Sequence, residues 1–197
     1  MRQIRELHNI MPISNIPSVI KYGILSHNRQ AKRGLSAQSV AMQEIQGIRA
    51  KKRVPGGRSL HSYANLYFNA HNAMLSKRRS QNQRICILRI APEVLTTAGV
   101  VISDQNAASN YAQFRPYPKG LSVLDFDMID AESWIHADNQ ILEWRHKSVK
   151  CAEVLVPDRV APEYIIGAYV CDDVAEQSLR SAGFPHTIEV RRSIFFW

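Results

Sequence analysis

The stretch Lys150-Cys151-Ala152-Glu153-Val154-Leu155-Val156-Pro157 sets one carboxylate among residues that otherwise read as a buried strand. A charge in such a place is costly unless it is paired or used. In the first half of the chain, Arg53-Val54-Pro55-Gly56-Gly57-Arg58 joins an arginine to a glycine turn, and Leu60-His61-Ser62-Tyr63-Ala64-Asn65-Leu66-Tyr67-Phe68 follows as an aromatic strand. A glutamate on a central strand can accept a hydrogen bond from a sugar hydroxyl, offset a developing cation or take a proton. It is equally the type of a structural acid paired with Arg or Lys. Arg53 follows Lys51-Lys52 and, on local sequence, reads as the end of a basic helix. Tyr63, Tyr67 and Phe68 have rings that stack on a nicotinamide or a base, or fill a core. Trp134 and Trp144 offer the same two options, base stacking or helix packing. His61, His71 and His146 lack metal-ligand spacing, and Cys86, Cys151 and Cys171 form no CxxC, so the expectation is no metal and three small buried hydrophobes.

The elements that must position these groups alternate irregularly. Residues 3–11 read as a strand. Ser14 or Asn15 then caps a short helix with Pro17 in its first turn and Gly23 beyond its end, and Ile24-Leu25 is extended. Residues 36–50 read as a helix that Ser36 can cap, with Val40, Ile45 and Ile48 on one stripe. A basic loop runs from Lys51 to Ser59. Strands are expected at 63–69, 84–90, 100–102, 151–156, 165–170 and 187–190, with the 165–170 strand beside 151–156. Residues 73–79 read as one or two helical turns, 103–124 as a long loop with a little helix, and 127–147 as mostly helix or loop. Asp172 caps a helix that ends at Gly183. Short strands mixed with short helices argue for an α+β fold. No GxGxxG or P-loop follows a strand, so neither a dinucleotide fold nor a P-loop is supported.

The 197 residues predict one domain, 1–197. Hydrophobic content of 45% and charged content of 21% are those of an ordinary globular protein. The net charge of +8 points to a polyanionic partner. The charge is clustered, at Arg49, Lys51, Lys52, Arg53 and Arg58 and again at Lys77, Arg78, Arg79 and Arg84. With no apolar run of membrane length and no apolar signal core after Met1, the expectation is a soluble, cytoplasmic protein with no membrane partner.

The ordered set of motifs resembles the DarT family of DNA ADP-ribosyltransferase toxins over nearly the whole chain. Leu7-His8-Asn9-Ile10, Ile13-Ser14-Asn15-Ile16-Pro17-Ser18-Val19-Ile20 and Gly23-Ile24-Leu25-Ser26 are similar to the family's first strand and helix. Arg53 before Gly56-Gly57 resembles its arginine and glycine turn. Leu60-His61-Ser62-Tyr63, Tyr67-Phe68 and Met74-Leu75 resemble its next segments. Ser103-Asp104-Gln105-Asn106-Ala107-Ala108 is similar to its Asp-x-(His/Asn)-Ala-Ala loop, and the strand carrying Glu153 is similar to that of its catalytic glutamate.

The resemblance implies an ADP-ribosyltransferase-like fold, a central split, antiparallel-rich β-sheet with peripheral helices. It implies transfer of ADP-ribose from NAD to a base of single-stranded DNA, and an antitoxin protein that reverses the mark. Glu153 and Arg53 would be catalytic. His8, Asn9, Ile10, Tyr63, Tyr67 and Met74 would hold NAD, while Arg49, Lys52, Arg58, Arg78 and Asn106 would contact nucleic acid. The thymine-modifying branch opens with Tyr-His-(Phe/Ile)-Thr-His and often has His where this chain has Asn106. The His8-Asn9-Ile10-Met11-Pro12 opening departs from that pattern, so guanine is the favoured base. The alternatives are a transferase of the same fold acting on RNA or protein, and a non-catalytic nucleic-acid-binding module.

Overall fold

The computed structural model describes residues 3–35 and 43–197. In chain order the elements are β1 (Leu7–Pro12), α1 (Ile16–Tyr22), β2 (Ile24–Leu25), α2 (His27–Lys32), α3 (Gln43–Lys51), β3 (Tyr63–Tyr67), α4 (Ala73–Ser76), β4 (Ile85–Ile90), β5 (Val101–Ser103) and β6 (Phe114–Pro116). There follow α5 (Phe126–Asp130), α6 (Gln140–Val149), β7 (Glu153–Pro157), β8 (Arg159–Val160), β9 (Ile165–Val170), α7 (Asp173–Ser181) and β10 (Thr187–Val190). The Ser36 cap and the start of the helix expected over 36–50 lie outside the described residues.

Eight strands form one sheet in the order β10-β9-β4-β1-β3-β7-β5-β6, and β2 with β8 forms a small second one. Pairing is antiparallel throughout except between β9 and β10. The expected α+β fold with an antiparallel-rich sheet is thus the observed one. The sheet is split along its middle. β1 pairs with β4 from Leu7 to Pro12, and β3 with β7 from Tyr63 to Tyr67. Between β1 and β3 only His8 and Tyr67 are in register. Farther along that seam, Asn9 Nδ2 donates to the Asn65 carbonyl at 2.9 Å, a side chain standing in for a lost ladder bond.

Two expectations change. β9 does not lie beside β7; it pairs with β4 and β10, while β7 runs between β3 and β5. Both strands are apolar enough for a central position, and periodicity does not choose between such neighbours. Phe114–Pro116 forms an edge strand inside the stretch expected to be loop, where Pro116 at its end and Pro118 beyond it hide the pattern.

Local rules account for the helix ends. Ser26 Oγ accepts from Arg29 N, Asn139 from Leu142 N and Asp172 from Ala175 N. Gly23 closes α1 at φ +78°, where any Cβ would sit 2.1 Å from the Val160 carbonyl oxygen. The core is built from both faces of the central strands, including Leu7, Ile87, Leu88, Leu66, Val154 and Ala168. Cys86, Cys151 and Cys171 are free and buried in it.

Candidate active site

The seam between β1 and β3 opens into a cavity of about 620 Å³. Glu153 stands on its floor. As the first residue of β7 it is flanked by Tyr67 of β3 on one side and Ser103 of β5 on the other. The residue is 1% exposed, so its charge has lost nearly all its water and must be met by protein groups. Two groups meet it. Arg49 Nη1, from the last turn of α3, donates to Oε1 at 3.1 Å and Oε2 at 3.0 Å. The Ala107 backbone N–H donates to Oε1 at 2.9 Å.

That backbone donor is placed by the loop after β5. The Asn106 N–H donates to the Ser148 carbonyl at 2.9 Å, and Asn106 Oδ1 accepts from Ala108 N at 2.9 Å. Ser103 Oγ donates to the Gln105 carbonyl. The loop is therefore tied to the end of α6 and to itself, and the small side chain of Ala107 lets its N–H come close to the carboxylate. Lys52 Nζ donates to the Ser109 carbonyl and lies 5.5 Å from the Phe114 ring centroid, pinning the same loop from the other side.

Electrostatics follow from these contacts. Burial, then the nearby Arg49 cation, push the Lys52 ammonium below its ordinary pKa, and Glu153 pulls it back. Burial, then the Glu153 charge, hold the Tyr67 phenol well above its ordinary pKa, so it is a neutral hydroxyl at the cavity floor. His61 Nε2 lies 3.1 Å from the acceptor Gln46 Oε1, and its ring lies 4.1 Å from that of His27. Burial, then the neighbouring His27 and Arg49, lower its pKa.

Of the residues expected to hold a cofactor, Asn9, Ile10, Tyr63, Tyr67 and Met74 line this cavity. His8 does not. Its ring turns instead to Glu6, with Nε2 3.1 Å from Glu6 Oε1. Arg53 is also displaced from its expected role. It is exposed, bonds the Gly57 carbonyl at 3.1 Å and closes the turn whose bridge joins Arg53 to Ser59. The arginine that reaches the glutamate is Arg49, expected instead on nucleic acid, which is 9% exposed. It belongs to the helix and points inward, whereas Arg53 lies past the helix end.

Among the other expected nucleic-acid contacts, Arg78 and Asn106 line the cavity. Arg58 is exposed and paired with Asp158 at 3.0 Å. Local sequence had no signal for the Ala107 donor, since any residue supplies an N–H. The indole of Trp144 sits on the cavity rim with Lys147. Trp134 packs against the core, 5.5 Å from Phe196. His146 is buried and bonded to His136 and to the Met128 carbonyl.

Asn9 is buried, its Nδ2 is committed to Asn65, and its Oδ1 has no partner among the described residues. An acceptor left in this state calls for a donor on a bound molecule. Among the described residues no group of three or more His, Cys, Asp or Glu is placed to hold a metal, and no helix is long and apolar enough to cross a membrane. The arrangement is thus a polar, partly apolar-walled cleft with one fixed carboxylate, one fixed guanidinium and an unsatisfied amide oxygen.

A family model described as "ssDNA thymidine ADP-ribosyltransferase, DarT" matches residues 8–196. The chain is 30% identical over 184 residues to a DNA ADP-ribosyl transferase–DNA ADP-ribosyl glycohydrolase fusion protein of Thermosipho africanus, covering 91% of this chain but 46% of that protein. It therefore spans about half the length of that relative. It is 28% identical over 207 residues to a DNA ADP-ribosyl transferase of Thermus aquaticus, covering 96% of this chain and 88% of the other. The structure of Thermosipho africanus DarTG in complex with ADP-ribose superposes with a TM-score of 0.83 at 28% identity, over 98% of this chain and 51% of that one. Thermus sp. 2.9 DarT in complex with ADP-ribosylated ssDNA gives a TM-score of 0.83 at 22% identity, with both chains fully covered.

Proposed function

The chain belongs to the DarT family, and we propose that it transfers ADP-ribose from NAD to a base of single-stranded DNA. The observation that carries this reading is the buried Glu153–Arg49 pair on the floor of the seam cavity. A paired charge this deeply buried contributes little to stability compared with well-packed apolar groups, so its presence in a cleft favours a working role. A cavity of about 620 Å³ has the size of a cofactor site. Asn9 Oδ1 offers an acceptor for an amide or hydroxyl donor of the dinucleotide, with Tyr63, Tyr67 and Met74 as walls. The complex of Thermus sp. 2.9 DarT with NAD+ supports NAD as the co-substrate of the fold.

In the reaction, the bond from ribose C1′ to the nicotinamide nitrogen breaks and nicotinamide leaves with the electron pair. The ribose becomes oxocarbenium-like, and the nearby Glu153 carboxylate offsets that charge and holds a ribose hydroxyl. A base nitrogen then forms the new bond to C1′ and loses its proton. Arg49 holds the Glu153 carboxyl group aimed, and the Ala107 N–H fixes its rotamer from the other side. Held in this way, the same group is the candidate acceptor of that proton.

For the base, the family description supports thymine. Guanine remains a second reading with its own observation. The departures at Asn9-Ile10-Met11-Pro12 and Asn106 all line the cavity, although His8, the first of them, faces away. The fusion of a transferase with a DNA ADP-ribosyl glycohydrolase in the Thermosipho relative supports a partner protein that removes the mark, and with it a toxin–antitoxin role. Incubation of the protein with NAD and DNA, followed by nuclease digestion and mass spectrometry, tests the function. An ADP-ribosylated nucleoside is expected. Label found on protein or RNA alone would overturn the DNA reading.

A further inference from the structure

One part of the cavity rim has no use in the Glu153–Arg49 chemistry. Trp144 on α6 is 63% exposed, and Ile141, three residues before it on the same helix, is 77% exposed. Lys147 follows Trp144 by three residues on the same face. Trp144 and Lys147 share the rim with Lys77 and Arg78, which follow α4. Lys147 is held only loosely by Glu143 at 3.6 Å, an exposed pair of the kind that contributes little.

An indole left this open keeps a large apolar ring in water beside cations. The cleft has the volume for a dinucleotide, and from its rim at Trp144 the exposed face of α6 continues to Ile141, which does not line it. A larger substrate therefore fits the ridge better than the co-substrate does. Positive rim charge and a net charge of +8 complement a phosphate backbone, and a flat exposed ring complements an unstacked base of any sequence.

We propose that Trp144, with Lys147 beside it, is a stacking platform that seats a nucleotide of single-stranded DNA next to the one being modified. The proposal rests on the DNA-modifying reading above. A flanking base stacked on Trp144, with its phosphate near Lys147, would fix the strand's path over the rim and deliver the neighbouring base to Glu153. The platform is a substrate-positioning device, distinct from the groups that touch the ribose.

The test reads binding without turnover. Tryptophan fluorescence of the full chain is titrated with a mixed-sequence DNA oligonucleotide in the absence of NAD, and affinity is measured by anisotropy of a labelled strand. Quenching is expected, and it should disappear in Trp144→Ala even though Trp134 and Trp197 remain. The dissociation constant should rise roughly tenfold or more, the size of one lost base–aromatic stack, and Trp144→Phe should retain most of the affinity. Unchanged affinity in Trp144→Ala would overturn the proposal. So would quenching by NAD alone with the oligonucleotide silent, which would assign the indole to the co-substrate. A protein that binds DNA through Trp144 yet labels no base would refute the transferase reading and keep the platform. Normal labelling with unchanged affinity in the variant would do the reverse.

Discussion

Arg49 Nη1 lies 3.1 Å and 3.0 Å from the two carboxylate oxygens of Glu153, a contact between residues 104 apart in sequence. It joins the last turn of α3 to the first residue of β7 across the seam cavity. A buried ion pair left with one member strands a charge, a loss of about 3–5 kcal/mol. Removing either residue therefore touches stability as well as chemistry, and variants must be chosen to separate the two.

Glu153→Gln keeps the shape and the Ala107 hydrogen bond but removes the charge. Its transferase rate should fall roughly 10²–10³-fold, as when a transition-state stabiliser is removed. Folding is checked by circular dichroism, and rates by transfer of radiolabel from NAD to an oligonucleotide. Near-wild-type labelling by a folded Glu153→Gln protein would remove Glu153 from the mechanism.

Arg49 and Arg53 make a matched comparison because they are four residues apart and differ only in where they point. Arg49→Ala should lose most labelling. Arg53→Ala should stay within a few-fold of wild type, since its guanidinium bonds only the exposed Gly57 carbonyl. If the Arg53 variant is the inactive one while Arg49→Ala retains its rate, the site has been built on the wrong arginine.

That comparison also shows what the sequence could and could not convey. Glu153 was legible because a lone acid in an apolar strand is anomalous by itself. The strands at β1, β3, β4, β7 and β9, and the cap at Asp172, follow from alternation and side-chain chemistry. Arg49 was not separable from its basic neighbours Lys51, Lys52 and Arg53. Which of four cations turns inward depends on helical phase and on the end of α3, and a polar helix with a weak apolar stripe does not fix that phase. His8, expected in the cavity with its neighbours Asn9 and Ile10, instead turns its ring to Glu6, a contact that no local pattern announces. The neighbours of β9 are set by tertiary pairing, for which an apolar run holds no address.

The contacts of Glu6 supply a stability prediction. Glu6 accepts from Arg89 Nε at 2.8 Å and from the Tyr169 hydroxyl at 2.7 Å, and His8 lies beside it. Burial alone would raise its pKa, but the hydrogen bonds from His8, Tyr169 and Arg89 outweigh that and bring it down to about 2. A carboxylate depressed in the folded state adds stability that is complete above its unfolded value of 4.5 and is lost as pH falls toward 2. Glu6→Gln should therefore destabilise the protein by roughly 1–3 kcal/mol near neutrality, the worth of hydrogen bonds to a charged group. The gap from wild type should narrow through that acidic window. Urea unfolding at a series of pH values measures it, and a gap that stays constant from pH 7 to pH 3 would show that Glu6 is not held ionised by these partners.

Acceptor state is expected to govern labelling more than sequence does. A base held in a duplex presents a paired, stacked edge, and extrusion costs a few kcal/mol. The same oligonucleotide should be labelled when single-stranded and protected when annealed to its complement. Affinity should fall steeply with salt, because each neutralised phosphate releases counterions. Equal labelling of both forms, or binding indifferent to salt, would contradict a single-stranded DNA acceptor.

The base itself is settled by leaving bases out. Thymine and guanine present different donor and acceptor edges, and a pocket built to hydrogen-bond one leaves polar groups unpaired with the other. Such mismatches cost roughly 10⁴–10⁵-fold in discrimination when the site depends on them. Asn106 lines the cavity with its Oδ1 spent on Ala108 N, which leaves its amide N–H for a base, and thymine and guanine both present a C=O to such a donor. Four single-stranded oligonucleotides, each lacking one base, are the measurement. Labelling is expected to vanish only when thymine is absent, in accord with the family's description. Loss of signal on removing guanine, with thymine dispensable, would instead show that the departures from Asn9 to Pro12 and at Asn106 have re-specified the pocket. Swapping Asn106→His in that protein should then weaken guanine labelling before it weakens NAD binding.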